Sequence, residues 1–223
     1  MEERKALEEL RRDESSRGNF LKMVGGAGAA GALGIFLAAC GDDEEEDQAA
    51  QTGQETAAKD SGKSDAAIVN YALTLEYLEA DFYQQVLASG EITDKKIVEA
   101  AKKIAQNEQD HVEALRGTAE MLGGSVAKKP KTKFDDVLAG GPDMILETAA
   151  TVENLGAAAY LGEAGNITDK EILAAALSIH TVEARHAALL NQVVGKSIVP
   201  DGAFAKPATM DEVLKAIKPF IAS

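Results

Sequence analysis

The tetrapeptide Ile92-Thr93-Asp94-Lys95 returns as Ile167-Thr168-Asp169-Lys170. Superimposing the two copies places Glu108 on Glu183 and His111 on His186. The match extends outward with small gaps: Lys129-Pro130 and Asp136-Val137-Leu138 resemble Lys206-Pro207 and Glu212-Val213-Leu214. A unit of this length present only twice predicts two fused copies of one supersecondary element rather than a solenoid.

Each copy reads as two helices. In the first, Val69, Leu73, Ala80, Tyr83 and Leu87 form one apolar line, and Ala72, Leu75, Phe82 and Val86 form its neighbour. That period predicts a helix over 65–89, ended by Gly90. The second helix is expected from near Thr93 to Gly123-Gly124, a pair suited to a left-handed cap. The third follows Gly141, with Pro142 in its first turn, and stops near Gly165. The fourth is expected from Thr168, which has capping-box spacing to Glu171, to near Gly195. A weaker amphipathic stretch, 210–221, predicts a short fifth helix. Few residues join helices 1 and 2 or 3 and 4, so each pair is an antiparallel hairpin. The stretch 124–140 is long for a turn and suits a crossover along a bundle. Aromatic residues make up only 4% of the chain and Trp is absent, which argues against a β-sandwich. The fold class expected is all-α, a four-helix bundle over 64–223.

Two of the three histidines lie in Glu-x-x-His: Glu108-Gln109-Asp110-His111 and Glu183-Ala184-Arg185-His186. Positions i and i+3 share a helix face, so each motif aims a carboxylate and an imidazole the same way. Helices 1 and 3 offer carboxylates inside apolar stretches. Glu76 precedes Tyr83 by the same seven residues that separate Glu153 from Tyr160. At a rise of ~1.5 Å per residue, Glu76 lies about 20 Å from Ser89 and Glu108 about 22 Å from Thr93. Glu153 and Glu183 come out at about 17 and 22 Å from their turn. Four carboxylates and two imidazoles in the middle of a bundle are costly unless paired, and two divalent cations would neutralise the four charges. The plain alternative for each Glu-x-x-His is a solvated helix face. Glu79 also lies on the apolar arc, but its repeat counterpart is Gly156. It is either an acid behind the ligands or an edge residue, and replacing it is expected to matter much less than replacing a ligand. His180, whose counterpart is Ala105, reads as an ordinary core histidine. Tyr83 and Tyr160 are expected near the cations, as hydrogen-bond or redox partners or as core filling.

This constellation resembles the ferritin-like di-iron/di-manganese carboxylate family, in which two helices each give a Glu and two others each give Glu-x-x-His. The likeness covers roughly 64–195. It is similar in detail to the exported bacterial ferritin-like proteins, with Leu75-Glu76-Tyr77-Leu78-Glu79-Ala80 and Glu183-Ala184-Arg185-His186-Ala187. The resemblance implies a ferritin-like four-helix bundle. It implies bridging roles for Glu108 and Glu183, and terminal roles for Glu76 with His111 and Glu153 with His186. Imidazole and carboxylate ligands suit two Fe or Mn ions without excluding zinc. The implied activity is oxidoreduction with O2 or peroxide, ferroxidase-like or peroxide-scavenging. The alternative is a metal-binding or stress-associated surface protein that turns nothing over.

The N-terminal region carries a different signal. Residues 23–39 are apolar and uncharged but short for a membrane span, and Arg11, Arg12, Arg17 and Lys22 precede them. The run ends in Leu37-Ala38-Ala39-Cys40, which resembles a bacterial lipobox, where the Cys thiol is acylated and the chain cut before it. Residues 1–39 therefore read as a lipoprotein signal peptide and Cys40 as the lipidation site. Ser16-Arg17-Gly18-Asn19-Phe20-Leu21-Lys22 resembles the twin-arginine export consensus but has Gly18 where the second arginine belongs, so the export route stays open. Residues 40–63 are acidic and lack apolar periodicity, and they read as a disordered tether. The expected location is the outer face of a bacterial cytoplasmic membrane, held by a lipid anchor.

Charge and cysteine count narrow the partners. A net charge of −14 argues against nucleic acid. The single cysteine rules out an internal disulfide, a thiolate metal site and a rubredoxin-like electron-transfer module. A lipid-tethered chain does not suit a storage cage. A homodimer is compatible with everything above.

Overall fold

The computed structural model describes residues 54–222, with side chains from Asp65 onward. Its elements are α1 (Gln54–Ser89), α2 (Lys95–Met121), α3 (Asp135–Ala139), α4 (Gly141–Ala164), α5 (Lys170–Val193) and α6 (Met210–Ile217), closed by a 3₁₀ turn at Lys218–Phe220. α1 packs along α2 and α4 along α5, and the two hairpins meet through α1 and α4. This is the four-helix bundle with a short C-terminal helix that the repeat implied. α1 starts at Gln54, earlier than the expected Asp65, so the end of the expected tether is helical. The signal peptide, Cys40 and the rest of the tether lie outside the described residues. Among the described residues, no helix is long and apolar enough to cross a membrane.

The repeated tetrapeptide is a helix start. Asp94 Oδ1 accepts from the Lys96 and Ile97 amides at 2.8 and 3.1 Å, and Asp169 Oδ1 accepts from Glu171 and Ile172 at the same distances. Each aspartate satisfies two amides that the first helical turn leaves without partners. Ile92 and Ile167, two residues earlier, are buried and anchor each turn in the core. The expected capping box of Thr168 with Glu171 is therefore corrected: Asp169 is the cap. Thr168 is instead held by Asp65, whose buried carboxylate accepts from the Thr168 amide, the Thr168 hydroxyl and the Asp169 amide. One residue of α1 thereby pins the turn of the other hairpin. Gly90 and Gly123, with φ of 70°, provide the left-handed conformation that ends α1 and follows α2.

The crossover runs along α1. The Ala127 amide donates to Asn70 Oδ1 at 2.6 Å, Lys129 pairs with Asp81 at 2.5 Å, and Thr132 bonds Asp81. It ends in α3, a helix that the sequence analysis left inside the crossover. The matching segment after α5 follows α4, where the Ala208 amide donates to the Ala158 carbonyl at 3.0 Å, and it ends in α6. The Asp136-Val137-Leu138 and Glu212-Val213-Leu214 echoes are thus equivalent short helices, each burying its valine. The two segments meet as Lys133 N donates to Phe220 O and Ala222 N to Lys131 O, at 2.9 and 2.8 Å.

Apolar side chains fill the bundle in two clusters. One contains Leu78, Phe82, Ile104, Phe134, Ile145 and Val213. The other contains Ile68, Leu73, Val112, Leu115, Ile172 and Ile179. Burying such side chains stabilises the bundle by about 1.5–3 kcal/mol each before entropy is counted. That surplus is what allows a layer of charge inside the bundle.

Candidate metal centre

Glu76, Glu108, Glu153 and Glu183 are each 0% exposed, and His111 and His186 are 8% exposed. α1, α2, α4 and α5 supply them as the sequence spacing required. The structure brings all six into two overlapping groups. Glu76, Glu108, His111 and Glu183 form one, and Glu108, Glu153, Glu183 and His186 form the other. Within each group one ligand atom per residue lies within 4.8 Å of all the others. Glu108 and Glu183 belong to both.

The two halves are alike but not identical: His111 reaches all three carboxylates of its group, whereas His186 Nδ1 stands 4.0 Å from Glu183 Oε1. His111 Nδ1 lies 3.2 Å from Glu76 Oε2, 3.1 Å from Glu108 Oε2 and 3.2 Å from Glu183 Oε1. His186 Nδ1 lies 3.0 Å from Glu108 Oε1 and 3.1 Å from Glu153 Oε2. The far oxygens of the two unshared glutamates are held by tyrosines. Tyr160 Oη donates to Glu76 Oε1 at 2.5 Å, and Tyr83 Oη donates to Glu153 Oε1 at 2.6 Å. Each phenol comes from the opposite hairpin, so the two repeats clamp each other's carboxylate. Of the roles open to these tyrosines, the hydrogen-bonding one is what the geometry displays.

The electrostatics are those of a site built for cations. Burial, then repulsion from Glu153, pushes the Glu108 carboxyl up to about 7. Burial and the Glu108 charge push Glu183 well above the usual range. Burial also acts on Glu76, but the facing His111 outweighs it and holds that carboxyl below its ordinary value. Burial would lower both histidines, yet hydrogen bonds and charge from the carboxylates dominate. His111 rises well above its ordinary value, and His186 rises to about 10. Burial and the accepting carboxylates push both phenols up, so Tyr83 and Tyr160 keep their protons at neutral pH. Protonated imidazoles are thus the internal counter-charges of the metal-free protein.

The donor set fits a cation pair. Glu108 Oε1 and both oxygens of Glu183 are buried without a hydrogen-bond partner. Glu108 Oε1 does approach His186 Nδ1, but without hydrogen-bond geometry. Three of the buried oxygens left unsatisfied belong to the two residues shared between the groups, where they would be free to hold cations. The mixture of hard carboxylates and imidazole matches first-row divalent metals.

Other residues fall outside both groups. His180 is half-buried, with Nδ1 3.1 Å from the Ala157 carbonyl, as expected of a core histidine. Glu79 is buried at 3% exposure, which removes the edge-residue alternative. The Asn154 and Asn191 side chains exchange reciprocal hydrogen bonds at 2.9 and 3.1 Å between α4 and α5. That pair and Asp65 escaped the sequence analysis. A polar residue inside an apolar arc was the available signal, but it does not name a partner.

The comparison with known families agrees with this architecture. A model of the ferritin-like domain matches residues 64–196. That is more than half of the chain, and the chain belongs to the ferritin-like family. No curated protein matches it.

Proposed function

We propose that the protein holds two Fe or Mn ions in this cluster and uses them to reduce O2 or peroxide. The observation that carries the reading is the sharing of Glu108 and Glu183 between two four-residue groups, with Glu108 Oε1 and both Glu183 oxygens buried and without a hydrogen bond. Glu76 with His111 would complete one position and Glu153 with His186 the other. When bound, such a pair supplies two electrons, which with two protons reduce O2 to hydrogen peroxide or hydrogen peroxide to two waters. The residues of the chain prepare that chemistry. Tyr83 and Tyr160 fix the orientation of the terminal carboxylates, and the two apolar clusters keep bulk water from the charges. The oxygen electrode tests the reading. Metal-free protein loaded with two equivalents of Fe(II) should consume O2 or added peroxide in proportion to bound iron and faster than free Fe(II). Two tightly bound ions with no such consumption would favour the alternative, a surface protein that binds metal and turns nothing over.

The same reading places the bundle outside the cytoplasmic membrane, tethered by a lipid on Cys40. Its support is the Leu37-Ala38-Ala39-Cys40 boundary between an apolar run and an acidic stretch. Wild-type protein should incorporate labelled fatty acid and sediment with membranes, and Cys40→Ser should abolish the label. An unlabelled, freely soluble wild type would refute the anchor.

A further inference from the structure

Glu79 breaks the internal repeat. Aligning Glu76 on Glu153 sets Glu79 against Gly156, so one half has a carboxylate where the other has no side chain. The structure brings these mismatched positions together. A Cβ on Gly156 would stand 2.8 Å from Glu79 Oε1 and 3.0 Å from Glu183 Oε2, too close for either oxygen to remain in place. Both oxygens therefore converge on the gap that this glycine leaves. Glu79 Oε2 and both oxygens of Glu183 are buried and have no hydrogen-bond partner. The charges that act on Glu79 are those of Glu183, Glu76, Glu153 and Glu108. A fifth buried carboxyl beside Glu183, with one oxygen left unbonded, is a poor structural device and a good ligand.

We infer that Glu79 is a seventh ligand of the metal site, reaching one of the two cations beside Glu183 through the space left by Gly156. The inference rests on reading the Glu–His cluster as a two-metal site. Six ligands related by the repeat treat the two positions alike, and a seventh from one half only makes them inequivalent. It also gives the site one negative charge beyond what two divalent cations neutralise, which favours a higher oxidation state at one of them.

Calorimetric titration of metal-free protein with Co(II) under anaerobic conditions, with the visible spectrum recorded alongside, tests this. Wild type should bind two ions of distinct affinity. Glu79→Gln should still bind two, with one weakened roughly 10- to 100-fold and its Co(II) absorption more intense, as a lower coordination number requires. Glu79→Asp keeps the charge but shortens the reach, so a ligand loses affinity there and a distant counter-charge does not. Metal-free Glu79→Gln should melt no lower than wild type, since the substitution keeps the shape and adds no charge. Wild-type affinities and spectrum in Glu79→Gln, or undiminished affinity in Glu79→Asp, would overturn the seventh ligand and leave the two-metal site standing. A wild type that binds no Co(II), Mn(II) or Fe(II) would overturn both.

Discussion

Glu108→Ala and Glu183→Ala should each empty both metal positions, taking bound metal from about two ions per chain toward zero. The reason is shared charge. Both residues belong to both ligand groups, so removing either one strips a negative charge and an oxygen donor from each cation at once. His111 and His186 each serve one group, and losing either should weaken one ion more than the other. Elemental analysis after anaerobic loading and desalting separates these patterns. If Glu108→Ala kept one tightly bound ion, the shared role would be wrong. The alanine variants should still fold, because both apolar clusters that build the bundle are untouched.

The second large effect is on stability. Two ions that bind only the folded chain stabilise it by about 4 kcal/mol each at a thousandfold excess over Kd. For a domain of this size that raises the melting temperature by roughly 10 °C per ion. The effect depends on pH. In the metal-free protein Glu108 is raised from 4.5 to about 7. The folded state therefore holds a proton there that the unfolded state releases. That contribution is complete below pH 4.5 and is lost as pH rises through 7. His186, raised from 6.5 to about 10, adds a contribution complete below 6.5 and lost through 10. Glu76, lowered, acts in the opposite sense, with stability present above its ordinary value and lost as pH falls below it. The first two dominate the neutral range, so metal-free protein should melt at progressively lower temperature between about pH 5 and pH 9. Metal-loaded protein should hold its melting temperature across that range, because cations have replaced the protons. Loading at neutral pH should release protons, measurable as a dependence of binding heat on the ionisation enthalpy of the buffer. A metal-free melting temperature that climbs steadily with pH would show that the carboxylates are not clustered as described.

Much of the site was legible because it is written in local spacing. Glu-x-x-His puts two side chains on one face of any helix, whatever that helix packs against. Reading the spacing twice, in register within a repeat, identified α2 and α5 as partners. Glu76 and Glu153 emerged from their common distance to Tyr83 and Tyr160. Apart from the start of α1, the helix ends were legible to within a few residues, since Asp94, Asp169, Gly90 and Gly123 act on their own neighbours. The reading that placed the fourth helix's cap on Thr168 failed for a tertiary reason. Asp65, 103 residues away in sequence, takes the Thr168 hydroxyl and leaves the cap to Asp169.

By itself, then, the sequence determined four amphipathic helices, their pairing into two equivalent hairpins, and the six residues that face one another. Those properties follow from helical period and short connections, which operate within tens of residues. Only the tertiary structure decided which oxygen meets which nitrogen, and that Tyr83 and Tyr160 reach across to the other hairpin's carboxylate. It alone decided that the segments after α2 and α5 lie along α1 and α4, and that Glu79 turns inward over Gly156. These outcomes depend on the separation and rotation of whole helices. A few tenths of an ångström there decide whether a carboxylate is paired, orphaned or excluded, and no local pattern encodes that distance.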